Sequence, residues 1–85
     1  MRSFVYTVKD ALGLHARPAG LLVRLVQSLP DEVRVRKGER TVGGTRLLAL
    51  MGLGIRCGDA VTVEIEGASE ATSEAALRDF FERNL

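Results

Sequence analysis

The chain has 85 residues, of which 46% are hydrophobic and 27% are charged, and its formal net charge is +1. This composition is typical of one small folded domain, here residues 1–85, and excludes a disordered chain. The near balance of 12 basic and 11 acidic side chains argues against a protein that holds nucleic acid by neutralising phosphates. No apolar run approaches the roughly 18 residues of a membrane span, so we expect no direct membrane insertion.

The single cysteine, Cys57, cannot form an internal disulfide. No cluster of Cys and His residues accompanies it, as a zinc site would require. We therefore expect a cytoplasmic protein without a metal, in which Cys57 is a small apolar thiol near a turn.

The first half of the chain predicts a strand, a helix and a hairpin. Phe4–Val8 is rich in β-branched and aromatic residues, which favours a strand. From Ala16 to Ser28 apolar residues recur at helical spacing, and Pro30 ends the pattern. Valines and arginines then alternate, which predicts a half-buried strand with a basic outer face, a turn and a short return strand. The helical stripe is Ala19, Leu22, Val23 and Val26, and the alternating residues are Val33, Arg34, Val35 and Arg36. The hairpin turn is 37–40, and the return strand begins at 41–42.

The second half predicts a short helix, a strand and a last helix. Thr45 fits the N-cap of a helix over 46–53 that ends at Gly54. Apolar and polar residues alternate over 61–66, which predicts a strand, and a helix follows from about Glu70. The order β-α-β-β-α-β-α predicts an α+β fold, a two-layer open-faced sandwich. Its four-stranded antiparallel sheet carries three helices on one face.

The only histidine, His15, lies in the stretch Gly-Leu-His-Ala-Arg-Pro at 13–18. It falls at the start of the first predicted helix, and Pro18 suits the first turn, where no N–H is needed. The N–H groups of Ala16 and Arg17 are then free, which makes this helix start an anion site. Arg17 adds donors that suit phosphate oxygens. Nearby positive charge favours the neutral imidazole, whose free ring nitrogen is a nucleophile.

The residues alone leave several roles open for His15. It fits a helix cap or a solvated side chain, a general base, or a nucleophile in an anion site. No partner Ser, Cys or Asp identifies a hydrolytic site, and no second ligand identifies a metal site.

Three stretches of the sequence resemble a known protein family and favour one of these roles. They are "GLHARPA" at 13–19, "LLALMGLGI" at 47–55 and "AVTVEIEG" at 60–67. They resemble the HPr family, the histidine-containing phosphocarriers of the phosphoenolpyruvate-dependent sugar phosphotransferase system, and the resemblance covers essentially the whole chain. It implies that His15 is phosphorylated on Nδ1 and that Arg17 contacts the phosphoryl group. It further implies that Ala16, Arg17 and Pro18 form the phosphate-binding helix start.

The resemblance also implies a function and its partners. Phospho-enzyme I gives its phosphoryl group to His15, which passes it to the IIA domain of a sugar permease. Such a phosphoprotein works as a monomer with a phosphohistidine intermediate and no bound cofactor. It transfers phosphoryl groups but is not a turnover enzyme on its own.

The short second helix is too apolar to be buried on all sides. Leu50 and Leu53 fit a core-facing pair, so the other apolar residues are expected to be partly exposed, although a wholly buried helix stays open. In the HPr family this helix and the exposed face of the first one dock partners. Arginines around the patch favour partners with acidic rims and apolar centres. The residues predicted for docking are Gly20, Leu21, Arg24, Gln27, Arg46, Leu47, Leu48 and Met51.

Two positions depart from the family pattern. Arg46 stands where many members carry a regulatory serine, so control by a serine kinase is not expected. Leu12 stands where many members have a small polar residue such as Asn or Ser, and a leucine at this position resembles the nitrogen-related branch of the family. The alternative function is therefore a regulatory or nitrogen-type HPr paralogue, which reports its phosphorylation state without sugar flux.

Overall fold

The computed structural model describes residues 1–85, and its elements follow the predicted order β-α-β-β-α-β-α. The four strands form one antiparallel sheet in the order β1-β4-β2-β3. Three helices cover one face of this sheet, so the predicted α+β two-layer architecture is confirmed. The elements are β1 (Arg2–Thr7), α1 (Ala16–Ser28), β2 (Glu32–Lys37), β3 (Arg40–Gly43), α2 (Leu47–Gly52), β4 (Ala60–Glu66) and α3 (Glu70–Asn84).

The core lies between the inner face of the sheet and the helices. In the strand register, Val63 of β4 lies between Phe4 of β1 and Val35 of β2. Because alternate side chains of a strand share a face, this row and its neighbours point towards the helices. The ring of Phe81 on α3 meets Phe4 edge-on, with centroids 5.9 Å apart. Leu22 of α1 is fully buried in the same cluster.

The outer face of the sheet is not basic, contrary to the prediction for β2. Arg34 lies opposite Glu64 in the register. Its guanidinium donates hydrogen bonds to Glu32, Glu64 and Glu66 at 2.8, 3.3 and 3.1 Å. The sequence pattern of β2 alone does not show these carboxylates, because two of them are supplied by the neighbouring strand β4.

The helix α2 begins one residue later than predicted, at Leu47, and its N-cap is Arg46. Thr45 is therefore not the N-cap, and that prediction is wrong. The turn after β3 explains the shift. The N–H of Gly44 donates to the carbonyl oxygen of Val33 at 2.8 Å, and the N–H of Arg46 donates to that of Gly43 at 3.1 Å. The first carbonyl of the helical ladder is consequently that of Arg46, which accepts from Leu50 at 2.8 Å.

A buried carboxylate joins the start of β2 to the start of α3. Asp31 accepts a hydrogen bond from the N–H of Ser69 at 3.0 Å and another from the hydroxyl of Ser73 at 2.8 Å. Both Asp31 and Ser73 are buried. A buried carboxylate without partners destabilises a fold, so these two bonds are what allow Asp31 to lie under the helix.

The last residue of the chain is tied to the loop that follows β1. Leu85 is buried, and its main-chain oxygen accepts hydrogen bonds from the N–H groups of Lys9 and Asp10. The strand β1 runs two residues earlier than predicted at its start and ends at Thr7, so Val8 belongs to this connection. None of the three helices combines the length and the apolar character that a membrane crossing requires.

The two faces of α2 predict opposite effects of leucine truncation. Leu50 is 0% exposed and Leu48 is 84% exposed. We expect Leu50→Ala to lower the free energy of unfolding by about 2–5 kcal/mol, because it leaves a cavity in the core. Leu48→Ala should change it by less than about 0.5 kcal/mol. Urea denaturation of both variants measures this difference, and equal losses would show that Leu48 is part of the core.

Candidate functional site

The connection between β1 and α1 holds His15 in place through buried anchors on both sides. Val8 is buried, and its N–H donates to the carbonyl oxygen of Asp59 at 2.9 Å. Leu14, directly before the histidine, is also buried, and its N–H donates to the carbonyl oxygen of Ile55 at 3.1 Å. The backbone before His15 is therefore fixed against the segment that leads into β4.

Gly13 permits this close approach. Its φ is +66°, a left-handed conformation that residues with a Cβ adopt only at a penalty. A Cβ at this position would lie 2.3 Å from the carbonyl oxygen of Ile55, which is a steric overlap. The carbonyl oxygen of Gly13 in turn accepts a hydrogen bond from the N–H of His15 at 3.0 Å.

His15 is the N-cap of α1, as the sequence predicted. Its backbone is extended, and its side chain makes no capping hydrogen bond. Its carbonyl oxygen accepts from the N–H of Ala19 at 3.0 Å, which closes the first turn. The imidazole is half-buried and is left available to a ligand.

The first turn of α1 presents unused donors next to this imidazole. No carbonyl of the helix can reach the N–H groups of Ala16 and Arg17, and no bond outside the helix uses them. Pro18 is buried and has no N–H. The positive end of the helix dipole adds to the attraction of this turn for an anion.

An open cleft of about 270 Å³ lies over this turn. It brings together polar groups from three parts of the fold: the loop after β1, the start of α1 and the end of α3. The predicted residues His15, Arg17 and Pro18 all line it. The complete lining is Asp10, His15, Arg17, Pro18, Leu21, Arg83 and Asn84.

Arg17 is exposed and forms no ion pair, although the chain is nearly neutral. Carboxylates engage half of the basic side chains, and the other half have no carboxylate partner. The paired ones are Arg2, Arg34, Arg36, Lys37, Arg78 and Arg83. The remaining ones are Lys9, Arg17, Arg24, Arg40, Arg46 and Arg56. A net charge of +1 therefore conceals free positive charge on α1 and at the N-cap of α2.

The ion pairs also shift the pKa values of their carboxylates. Hydrogen bonds from Arg2 and then Arg78 lower the pKa of Glu74, and a hydrogen bond from Lys37 lowers the pKa of Asp59. These pairs lie on α3 and beside β2. Their carboxylates lie outside the cleft, where Asp10 is the one carboxylate among the lining residues.

The predicted docking residues lie on two exposed surfaces. On α1, Gly20 is half-buried and Leu21, Arg24 and Gln27 are exposed. On α2, Leu47, Leu48 and Met51 are exposed while Leu50 and Leu53 are buried, so the division of this helix into two faces is confirmed. Thr45, Arg46, Leu47, Leu48 and Ala49 line a second cleft at the start of α2, and it shares no residue with the His15 cleft.

The sequence did not reveal that Asp10, Arg83 and Asn84 line the His15 cleft. Arg83 and Asn84 belong to the last turn of α3, about seventy residues away in the chain from His15. The packing of α3 on the sheet and the hydrogen bonds from Lys9 and Asp10 to Leu85 bring that turn to the cleft. No group of three or more His, Cys, Asp or Glu side chains is arranged to hold a metal ion, and Cys57 is exposed.

Alanine substitutions at two glycines with similar backbone conformations can separate the destabilisation caused by a steric overlap from that caused by the positive φ alone. Gly13 and Gly38 have φ of +66° and +60°, but a Cβ at Gly38 would meet nothing within 4 Å. We expect Gly38→Ala to destabilise the fold by roughly 1–2 kcal/mol through conformation alone. Gly13→Ala adds an overlap with Ile55, so its loss in urea denaturation should be clearly larger. Equal losses would show that the Ile55 contact does not constrain the loop.

Comparisons with known proteins agree with this geometry. A family model for the PTS HPr component phosphorylation site matches residues 2–83. The chain is 33% identical over 85 residues to the phosphocarrier protein HPr of Mycoplasma genitalium, covering 99% of this chain and 97% of that protein.

Solved structures similar to this chain are also HPr proteins. HPr-C-His from Thermoanaerobacter tengcongensis matches with a TM-score of 0.90 and 32% identity, covering 96% of this chain and 92% of that one. An HPr dimer from the same organism matches with a TM-score of 0.76 and 31% identity, covering 98% and 95%. Because the family model spans nearly the whole chain and the relative is aligned over almost its full length, the chain belongs to the HPr family of phosphocarrier proteins of the phosphotransferase system.

Proposed function

We propose that His15 is the phosphoryl acceptor of this chain. In this proposal phospho-enzyme I donates the group, and the IIA domain of a sugar permease receives it. The observation that carries the proposal is the position of an uncommitted imidazole at the N-cap of α1, beside the free N–H groups of Ala16 and Arg17. The unpaired guanidinium of Arg17 lines the same cleft.

The transfer step uses these groups as follows. A ring nitrogen of His15, Nδ1 by analogy with the family, attacks the phosphorus atom. The new N–P bond forms as the bond between phosphorus and the donor enzyme breaks, and the donor keeps that electron pair. The product brings about two negative charges to the cleft. The helix start stabilises them by about 0.3–2 kcal/mol, and Arg17 offers charge-assisted hydrogen bonds to the phosphoryl oxygens.

Partner proteins with an apolar centre and an acidic rim would fit the exposed surface of α1 and α2. The exposed apolar residues Leu47, Leu48 and Met51 offer a desolvated centre. The unpaired Arg24 and Arg46 supply positive charge on α1 and at the start of α2. Enzyme I and IIA domains are proposed to meet this surface with apolar centres and acidic rims, which also speeds their encounter.

We also propose an oligomeric state and a cellular location for the protein. Residues 1–85 are proposed to form one HPr-like domain that works as a monomer in the cytoplasm, where the exposed thiol of Cys57 stays reduced. A related structure is described as a dimer, so the monomeric state is open to direct test by analytical ultracentrifugation.

A second candidate function follows from Leu12. Its side chain is 72% exposed on the loop before His15. An apolar residue presented there favours an acceptor with a matching apolar surface, as in a nitrogen-type or regulatory paralogue. Incubating the phosphorylated protein with sugar-type and nitrogen-type IIA domains separates the two functions, since only the true acceptor gains phosphate quickly.

The acceptor role predicts a single phosphate on His15. With phosphoenolpyruvate, magnesium and a matched enzyme I, the wild type should gain one acid-labile and base-stable phosphate, and His15→Ala should gain none. Arg17→Ala should fold normally and accept phosphate about tenfold more slowly. Arg56→Ala is the control, because Arg56 is also unpaired but does not line the cleft. An unmodified wild type would refute the carrier function.

The docking role of α2 predicts that a negative charge introduced on its exposed face blocks transfer. Leu48→Asp should reduce the rate of phosphate transfer from enzyme I by at least about tenfold, with unfolding free energy within about 0.5 kcal/mol of wild type. Val5→Asp is the matched control, since Val5 is 65% exposed on the opposite face of the sheet. Equal rates for the two variants would remove α2 from the docking surface.

A further inference from the structure

The end of α3 is fixed beside the His15 cleft. Arg83 and Asn84 line the same cleft as His15 and Arg17. The main-chain oxygen of Leu85 accepts hydrogen bonds from the loop after β1, and the N–H of Leu85 donates to the carbonyl oxygen of Phe81 at 2.8 Å. The backbone of Arg83 therefore cannot move away from the cleft without breaking these bonds.

The side chain of Arg83 is held only weakly in its present position. Its Nε lies 3.1 Å from Oδ1 of Asp79, one turn earlier on α3, and the two side chains are 77% and 62% exposed. An exposed ion pair of this kind contributes little in water. A phosphoryl dianion attracts a guanidinium more strongly than a carboxylate does, because it carries about twice the negative charge and also accepts two parallel hydrogen bonds. A phosphoryl group on His15 can therefore draw Arg83 away from Asp79.

The charges that face the cleft favour a second cation. They are the carboxylate of Asp10, the imidazole of His15, and the guanidinium groups of Arg17 and Arg83. With a neutral imidazole they sum to about +1, and a phosphoryl dianion changes the sum to about −1. Without Arg83 the sum would reach about −2, because Asp10 cancels Arg17. One carboxylate oxygen of Asp10 accepts from the N–H of Leu12 at 2.8 Å, which keeps its charge on the cleft rim.

We propose that Arg83 is a second phosphoryl-binding residue of this protein, which exchanges Asp79 for the phosphoryl oxygens once His15 is modified. The proposal rests on the proposed function in one respect, namely that His15 carries the phosphoryl group. It adds a contact from α3 to a site that is otherwise built from α1.

The test places the phosphoryl group on His15 without any partner protein. Phosphoramidate serves as the donor: its P–N bond breaks, a bond forms between phosphorus and the imidazole nitrogen, and ammonia leaves. The proton affinity of the bound phosphoryl group is then read from its ³¹P resonance as a function of pH. A nearby cation stabilises the dianion and lowers that affinity.

Arg83→Ala should therefore raise the proton affinity about threefold, and Arg83→Lys should keep most of the wild-type value. Arg78→Ala is the matched control. Arg78 also pairs with a carboxylate one turn earlier on α3, but it lies over the Phe4 ring and not in the cleft. An equal response of the Arg83→Ala and Arg78→Ala variants, or a lysine variant that behaves like alanine, would overturn the proposal.

Asp79→Asn should change the proton affinity of the phosphoryl group in the direction opposite to Arg83→Ala. It releases Arg83, so it should lower the proton affinity of the phosphoryl group. The same change in the Arg83→Ala background should have little effect, because the cation that Asp79 competes for is absent. An equal effect of Asp79→Asn in both backgrounds would mean that Asp79 acts by its own charge and not through Arg83.

Failure of this proposal can be told apart from failure of the proposed function. If enzyme I phosphorylates the wild type and Arg83→Ala leaves the proton affinity unchanged, only the role of Arg83 is refuted. If enzyme I leaves the wild type unmodified while the phosphoramidate-labelled variants differ as expected, the carrier function is refuted and the phosphoryl-binding role of Arg83 stands.

Discussion

The site depends on main-chain hydrogen bonds that fix the loop between β1 and α1 from two sides. Ile55, before β4, accepts from Leu14 on one side, and Leu85 at the end of α3 accepts from Lys9 and Asp10 on the other. Backbone atoms provide a more rigid support than long side chains, because they lose little conformational freedom when they bond. The position of the imidazole is thereby tied to the sheet and to α3 at once.

Much of this structure could be predicted from the sequence where the pattern repeats. The alternation in β4 and the apolar stripe of α1 are set by burial of one face, so their bounds were close to those observed. The position of His15 at a helix start followed from Pro18, which suits a first turn. What failed was the N-cap of α2, where Thr45 has the right chemistry but the turn at Gly43 and Gly44 sets the start one residue later.

Long-range pairs could not be predicted, because nothing local marks them. Aspartate is a residue type common in exposed loops, yet Asp31 is buried under α3, where it accepts hydrogen bonds from Ser69 and Ser73. Arg34 predicted a basic surface, yet the neighbouring strand neutralises it. Arg83 has no local feature that points to the cleft, because a basic residue near a helix C-terminus is already explained by its favourable interaction with the dipole. In each case the partner comes from another element, so only the fold reveals it.

The ion pairs are distributed unevenly, so positive charge is unpaired on one side of the molecule although the net charge is small. Carboxylates on β2, β4 and α3 neutralise the arginines of the outer sheet face and of α3, which leaves unpaired cations on α1 and at the N-cap of α2. A phosphoryl group and an acidic partner are therefore attracted to the same surface. Under the proposed function, the two attractions oppose each other once His15 carries the phosphoryl group, because the dianion offsets the charge that holds the partner. A carrier benefits from this opposition, since it weakens the hold of the donor as soon as the group has been transferred.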